Sequence, residues 1–489
     1  MTFTKALINE SLMKVLERCA PPGSLPRPGQ LKALEKLLLK NESVFLHQST
    51  AWGKSAVYWA ATYAMRELGG KATLQISPLL SLQRDQALSA RKAGLNAFVL
   101  NSENKKQWNE LEQNLVDGST DVVVITPEHF ARPGFVQRIA DYIDLATLDE
   151  AHLASAWGYT FRPEYFQVID LLKKMPHVRK IAGTATAPTR VIQDVTTQFG
   201  GDLTLIQGTL DNTSLARHII RATKSDKMLL ILDAFLKSQT EPGLLYTFEV
   251  KAAEELSNAL IRFGHNTDHY HGDVKPDHKL LIEEQWQDGD IIPFATSALG
   301  VGVHKDHVPY VVNYGTPLTP SDFFQQSGRA GRDGTPAVSL LISERVTDKQ
   351  RARIQVEQNM PSPDLLEIVY RKMKKQESPL QMGKIKELFK LPDSAVSFST
   401  KFLTAQGVFA HTEDGYSCVQ LDWEMDMDQW NEVFEYRKAE AQLMLDYTTT
   451  EECLDGFIRR AVGESLAKKY RCENCTNCVG LPRWLKFGN

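Results

Sequence analysis

The chain has no apolar run near the ~18 residues a membrane span requires. Its start, Met1–Glu10, lacks the basic start and long apolar stretch of a secretory leader. Cysteine is scarce, with six in 489 residues, too few for a disulfide scaffold. Neither sign of charge dominates: 56 Lys and Arg stand against 60 Asp and Glu, a net charge of −4. A bulk polycation is thereby excluded, and any contact with nucleic acid must use local patches. No short internal repeat is evident. A soluble, cytoplasmic protein is the expectation. Hydrophobic residues make up 42% and charged residues 24%, ordinary globular values that exclude disorder as the main state. The length suggests about three domains.

Residues 44 to 206 alternate short β-rich apolar runs with longer helical stretches. Val44–Leu46, Ala72–Ile76, Asp121–Ile125, Leu145–Leu148 and Lys180–Gly183 read as buried parallel strands. Residues 229 to 345 repeat the pattern with Gly243–Tyr246, Ile291–Ala295, Tyr310–Tyr314 and Ala337–Ile342. Two α/β units in tandem follow, and ligands of such sheets bind at the carboxyl ends of strands. Beyond Ser343 the pattern changes. Helices are expected at Pro363–Gln376, Gln381–Phe389 and Ser394–Gln406, then a hairpin over 407–421 turning at Glu413-Asp-Gly415. Three helices plus a hairpin suggest a winged helix. Residues 422 to 435 carry six acids, and two amphipathic helices are expected over 429–468.

Three clusters carry chemistry. Ser49-Thr50-Ala-Trp-Gly53-Lys54-Ser55 follows the first strand and precedes an apolar helix. That order suits phosphate: backbone N–H groups face the anion, Lys54 reaches the β- and γ-phosphates, and Ser55 ligates Mg²⁺. Taken alone, the same pattern serves a plain strand–turn–helix. Asp149-Glu150 ends a buried strand, where Asp149 would hold Mg²⁺ and Glu150 polarise a water. Arg329 and Arg332, three apart with Gly331 between, could reach a γ-phosphate across a cleft, or form a basic surface turn. A fourth cluster, Cys453-x18-Cys472-x2-Cys475-x2-Cys478, supplies four thiolates for a closed, structural Zn²⁺ site.

At these residues the chain resembles superfamily 2 helicases and, more narrowly, the RecQ family, over most of residues 25 to 345 and the cysteine cluster. Arg27-Pro-Gly-Gln30 is similar to the family's adenine-reading motif. Ser77-Pro-Leu-Leu-Ser-Leu-Gln83 and Thr126-Pro-Glu128 resemble its first DNA-contacting motifs, and Asp149-Glu-Ala-His152 its acidic box. Ser155-Ala-Trp157-Gly-Tyr-Thr-Phe161-Arg162 resembles the aromatic-rich loop that couples strand binding to hydrolysis. Trp157 and Phe161 offer stacking faces there, with Arg162 beside them. Thr184-Ala-Thr186 resembles the motif linking the two activities, and the stretch from Thr296 through Gly302 to Lys305 a motif of the second lobe. Three departures stand out. Ala51-Trp52-Gly53 replaces the usual glycine triplet, so Trp52 must point away from the phosphates. Ala156 and Tyr159 replace polar residues, and His304 stands where Asn is usual.

The resemblance implies two tandem RecA-like lobes at 1–208 and 209–345, then a winged-helix-like insertion at 346–428 and a helical hairpin with a four-cysteine zinc module at 429–489. It implies an ATP-, Mg²⁺- and Zn²⁺-dependent 3′–5′ DNA helicase acting on single-stranded and partially duplex DNA. Protein partners would come from repair, recombination or defence, and no membrane is involved. ATP would be held by Arg27, Gln30, Thr50, Gly53, Lys54, Ser55, Asp149 and Gly302, with catalysis by Lys54, Glu150, Arg329 and Arg332. DNA would be met by Ser77, Trp157, Phe161, Arg162, Thr184 and Thr296. The Lys/Arg stripe from Arg371 to Lys390 could face phosphates, and the hairpin at His411–Tyr416 could pry a base pair, although its tip is acidic. The rival reading is a DNA-binding scaffold subunit with weak or absent ATPase. An RNA-remodelling ATPase is a third.

Overall fold

The computed structural model describes residues 1–49, 52–78, 80–155, 162–299, 305, 307–358, 360 and 362–482. Seven strands form the first sheet: Ser43–His47 (β1), Ala72–Ile76 (β2), Ala97–Leu100 (β3), Val122–Ile125 (β4), Ile143–Leu148 (β5), Arg179–Thr184 (β6) and Leu203–Gln207 (β7). Their order is β3-β4-β2-β5-β6-β1-β7, and every pairing is parallel. Parallel strands need helical crossovers, which cover both faces and explain the continuous apolar runs. Successive residues serve opposite cores: Val44 and Leu46 pack with Trp59 on one side, and Phe45 with Leu74 and Phe130 on the other.

The second sheet holds Leu215–Arg221 (β8), Leu244–Tyr246 (β9), Thr267–Tyr270 (β10), Ile292–Ala295 (β11), Tyr310–Tyr314 (β12) and Ala337–Ser343 (β13). Its order is β10-β11-β9-β12-β13-β8, again wholly parallel. Both sheets are thus α/β units with their loops at the carboxyl ends of the strands, the place where ligands of such sheets bind.

Residues 363–418 build a small unit with its own core. Helices Pro363–Lys374, Met382–Glu387 and Asp393–Ala405 pack with the antiparallel hairpin Phe409–Thr412 (β14) and Gly415–Cys418 (β15) around Leu366, Tyr370, Ile385, Leu403 and Phe409. Helices Met427–Tyr447 and Leu454–Ala461 follow. They share a core with the second lobe, where Met444, Tyr447 and Ile458 meet Phe323, Phe324 and Leu341.

Candidate nucleotide and nucleic-acid site

The carboxyl end of β1 leads into a loop that closes on the helix Lys54–Glu67. Gly53 opens that helix at φ 91°, a left-handed conformation that suits glycine. A Cβ there would also lie 2.8 Å from Gln30 Nε2. Gln30, itself buried, ties two loops together. Its Oε1 accepts from the Arg27 backbone N–H at 2.8 Å, and its Nε2 donates to the Trp52 and Gly53 carbonyls at 3.1 and 3.3 Å. Trp52 answers the steric question its position raised. It is 7% exposed, packs in the core beside Ile206, and donates from Nε1 to the Pro28 carbonyl at 3.2 Å. The indole therefore props the Arg27–Gln30 loop from beneath. Thr50 and Ala51 lie outside the described residues.

Lys54 Nζ donates to the carbonyls of Gln48 and Ser49 at 3.0 and 3.2 Å. Burial pulls its pKa down, and Glu150 and Asp149 oppose that pull. Burial and the Glu150 carboxylate push Asp149 well above the usual carboxylate range. Burial alone would raise Glu150 too, but His152, Lys54 and Arg329 together hold it below the usual value. Glu150 adopts φ 50°, rare for a non-glycine residue, so the backbone is strained where the acidic pair leaves β5.

Gln86, which the sequence reading did not single out, joins the two halves. Ser55 Oγ donates to its Oε1 at 3.2 Å, and its Nε2 donates to Asp149 Oδ2 at 3.2 Å. One amide thus spans the hydroxyl and the carboxylate expected to hold Mg²⁺. Those oxygens suit a hard divalent cation.

Across the cleft, Arg329 and Arg332 approach from the second lobe. Arg329 is 5% exposed, and Arg332 donates from Nε to the Gly328 carbonyl at 3.1 Å. Burial and the neighbouring Arg329 push Arg332 down to about 10, while Glu150 opposes them, so it stays cationic at neutral pH. A polar chain also joins the lobes. His152 Nδ1 lies 3.2 Å from Glu150 Oε2 and hydrogen-bonds Thr184 Oγ1 at 2.8 Å. Thr184 Oγ1 donates to the Thr186 carbonyl at 3.1 Å, and Thr186 Oγ1 accepts from Gln325 Nε2 at 2.9 Å.

The expected DNA-contacting residues divide. Arg162 brings three motifs together: its Nη1 donates to the Pro78 carbonyl at 2.8 Å and lies 3.7 Å from Glu128. Thr296 stands half-buried at the end of β11, its N–H on the Tyr270 carbonyl at 3.0 Å. Ser77 and Thr184 are fully buried. Trp157, Phe161, Gly302, Ala156, Tyr159 and His304 lie outside the described residues. The basic stripe is largely engaged within its own unit. Arg371 pairs with Glu367 at 2.5 Å, Lys384 with Glu387 at 3.0 Å and Lys386 with Asp393 at 3.4 Å. The hairpin rings stack on each other, His411 on Tyr416 at 4.1 Å and 5°. The hairpin's acidic tip sits on the first lobe, where a Cβ at Gly134 would lie 3.0 Å from Glu413 Oε1. Lys401 pairs with Glu164 at 2.6 Å, on the helix Pro163–Lys173 that follows Arg162.

The sulfurs of Cys453, Cys472, Cys475 and Cys478 lie within 4.8 Å of one another, and no disulfide joins them. Backbone N–H groups point at three of them: Leu454 at Cys475 and Cys472 at Cys453, both at 3.3 Å, and Cys475 at Cys472 at 3.3 Å. Such bonds favour thiolates, the form a metal needs. The donor set fits tetrahedral Zn²⁺.

The DEAD/DEAH box helicase family profile matches residues 27–195, and the helicase conserved C-terminal domain profile matches 226–334. ATP-dependent helicase SGS1 of Saccharomyces cerevisiae is 30% identical over 72% of this chain and 25% of its own length. ATP-dependent DNA helicase RecQ of Pasteurella multocida is 28% identical over 65% of this chain and 50% of its own. ATP-dependent DNA helicase Q1 of Mus musculus is 27% identical over 64% and 50%. By sequence the chain is RecQ-like. It spans a quarter to a half of these three relatives. The fold agrees with two tandem RecA-like lobes. Dbp5 of S. cerevisiae, bound to RNA and ADP BeF3, superposes with a TM-score of 0.57 at 18% identity, covering 68% of this chain and 87% of that one. The helicase MrfA bound to DNA gives 0.58 at 16% identity, covering 86% and 64%. Among the described residues, no helix is long and apolar enough to cross a membrane.

Proposed function

We propose that the protein is an ATP- and Mg²⁺-dependent DNA helicase of the RecQ type, moving 3′ to 5′ on single strands. The observation that carries it is the convergence of Gln30, Lys54, Ser55, Asp149 and Glu150 in one lobe beneath Arg329 and Arg332 of the other. In this reading Gln30 and the Arg27 loop read the adenine. The Gly53 turn and the helix N-terminus cradle the phosphates. Lys54 leaves the Gln48 and Ser49 carbonyls for phosphate oxygens. Ser55 and Asp149 would hold Mg²⁺, which would supply positive charge against the phosphates. Glu150 orients the attacking water and takes up its proton, while Arg329 and Arg332 stabilise charge developing on the γ-phosphoryl group. The Glu150–His152–Thr184–Thr186–Gln325 chain couples that step to lobe closure, which shifts the strand held by Arg162, Trp157, Phe161 and Thr296; full burial keeps the Ser77 and Thr184 side chains off that strand.

Residues 346–428 act in this reading as a winged-helix-like module, and 429–489 as a zinc-held module in which Cys453, Cys472, Cys475 and Cys478 bind the ion. Zinc held there would contribute folding energy to this module. The docked hairpin tip and the self-stacked His411–Tyr416 pair weigh against a strand-separating role for the hairpin. The test is ATP hydrolysis with and without single-stranded DNA, using Lys54→Ala as the control. Stimulation by DNA, lost in the variant, is expected, with strand displacement of a 3′-tailed duplex. Hydrolysis no greater than that of Lys54→Ala, in folded zinc-loaded protein, overturns the motor and leaves the scaffold reading.

A further inference from the structure

The second lobe carries a ligand set that the motor does not use. Glu254 projects from the helix Val250–Arg262, His269 from β10, and His271 from the residue after β10 ends. One ligand atom from each lies within 4.8 Å of the other two. The His269 and His271 rings stack at 5.2 Å and 16°. His271 is 3% exposed, and neither of its ring nitrogens has a hydrogen-bond partner among the described residues, although Glu254 Oε1 stands 3.2 Å from Nε2. A buried imidazole with both nitrogens unsatisfied costs free energy, and a metal ion on one of them relieves it. The surroundings are arranged as an outer ring of support. Asp268 lies 3.2 Å from His269 Nδ1 and 2.8 Å from His278 Nε2. With Nδ1 engaged by a carboxylate, His269 is left Nε2 for a metal, the pairing that fixes ring orientation in metal centres.

We propose that Glu254, His269 and His271 form a second metal site, separate from the four cysteines, that takes Zn²⁺ or a similar borderline divalent ion. Two imidazoles and one carboxylate are the donor set of open tetrahedral zinc centres, with the fourth position left to water or another ligand. Ca²⁺ and Mg²⁺, which take oxygen ligands, are disfavoured. The ion would fasten the edge strand β10 to the helix Val250–Arg262. The Tyr270 carbonyl between the two histidines accepts from the Thr296 N–H at 3.0 Å, so the site lies one strand from the segment assigned to DNA.

The experiment uses the full chain with its cysteine-bound zinc retained. Zn²⁺ is titrated against a chromophoric chelator, and Co²⁺ is followed by absorption. The expected result is one further equivalent bound. Co²⁺ in that equivalent should show ligand-field bands without thiolate charge transfer. His269→Ala and Glu254→Gln, both at partly exposed positions, should abolish this equivalent. Asp268→Asn should weaken it about 10-fold or more. Failure of the wild-type chain to bind a second equivalent overturns the site. So does a second equivalent that carries a thiolate band, or one that survives both His269→Ala and Glu254→Gln.

Discussion

Arg459 holds the C-terminal helices to the segment between the lobes, and its replacement should loosen them sharply. The residue is 3% exposed and its guanidinium is fully used. Nη1 donates to Asp211 at 2.9 Å, Asp455 at 3.0 Å and the Tyr470 hydroxyl at 3.0 Å. Nη2 donates to Thr209 at 3.1 Å, and Nε and Nη2 grip Glu464 as a fork at 2.8 Å each. Arg459→Met keeps the stem and removes the charge. Breaking a buried ion pair from one side costs about 3–5 kcal/mol. The lower figure applies here because the abandoned acids keep partners. Asp455 still has Arg217 at 3.6 Å, and Glu464 still accepts from the Leu210 N–H and the Thr209 hydroxyl at 3.1 Å each. A loss of about 3 kcal/mol is roughly a 150-fold rise in the open population. Hydrogen exchange of the Leu454–Ala461 amides reads that population directly. Arg459→Lys, which retains charge without the planar fork, should fall between the two. An effect of less than about 1 kcal/mol in the Met variant, the size of a surface ion pair, would refute the reasoning.

Four other outcomes follow from the same geometry. Gly53→Ala combines a positive φ of 91° with a Cβ at 2.8 Å from Gln30. About 1–2 kcal/mol of backbone strain should raise the KM for ATP by roughly 5- to 30-fold, and an unchanged KM would contradict the assignment of this turn. Gln86→Leu removes the bridge between Ser55 and Asp149, so half-saturation of hydrolysis by Mg²⁺ should move to higher concentration while metal-free ADP binding persists. Glu440 is raised to about 8 by burial and by Asp322, with Arg437 opposing. Its neutral form folds without penalty below the unfolded pKa, and that stability is lost as pH rises towards 8. Glu440→Gln should therefore raise Tm more at pH 8 than at pH 5; an equal shift at both would count against the buried carboxyl. Cys475→Ser, or chelation of the intact protein, should lower the zinc content and expose the Leu454–Ala461 helix to protease before either sheet.

The strands divide by legibility along a physical line. All nine runs read as strands from the sequence lie in the two sheets, and each is interior to its sheet order. The four that escaped notice, β3, β7, β8 and β10, are the outermost strands of both sheets. Three of them have broken apolar runs: Leu205 in β7 is 42% exposed, β8 carries Arg217 and His218, and β10 reads Thr-Asp-His-Tyr, while β3 is apolar throughout but only four residues long. Continuous hydrophobicity reports burial on two faces, and an edge strand is not buried in that way. The helices of residues 363–405 were legible for the complementary reason, because each carries a single apolar stripe around a local core.

The site was legible where its chemistry is local and hidden where it depends on distance along the chain. Lys54-Ser55, Asp149-Glu150 and the arginine pair are short stretches whose residue types announce phosphate chemistry. Gln86 sits mid-helix with nothing beside it to mark it, and only the fold brings it between Ser55 and Asp149. The same holds for the contacts that seat the later units on the two lobes and the segment between them: Lys401 on Glu164, Glu413 against Gly134, and Arg459 on Asp211. These contacts change the meaning of the residues they use. As sequence, Glu413-Asp414 at the turn reads as a solvated acidic tip and the lysines as a phosphate-facing stripe. In the folded chain the tip lies against the first lobe beside Arg138, and three of the basic residues pair with acids of their own unit. These three pairs are solvent-exposed, and a surface ion pair is worth about 1 kcal/mol or less, so their pairing weakens the stripe as a phosphate-facing surface without removing it.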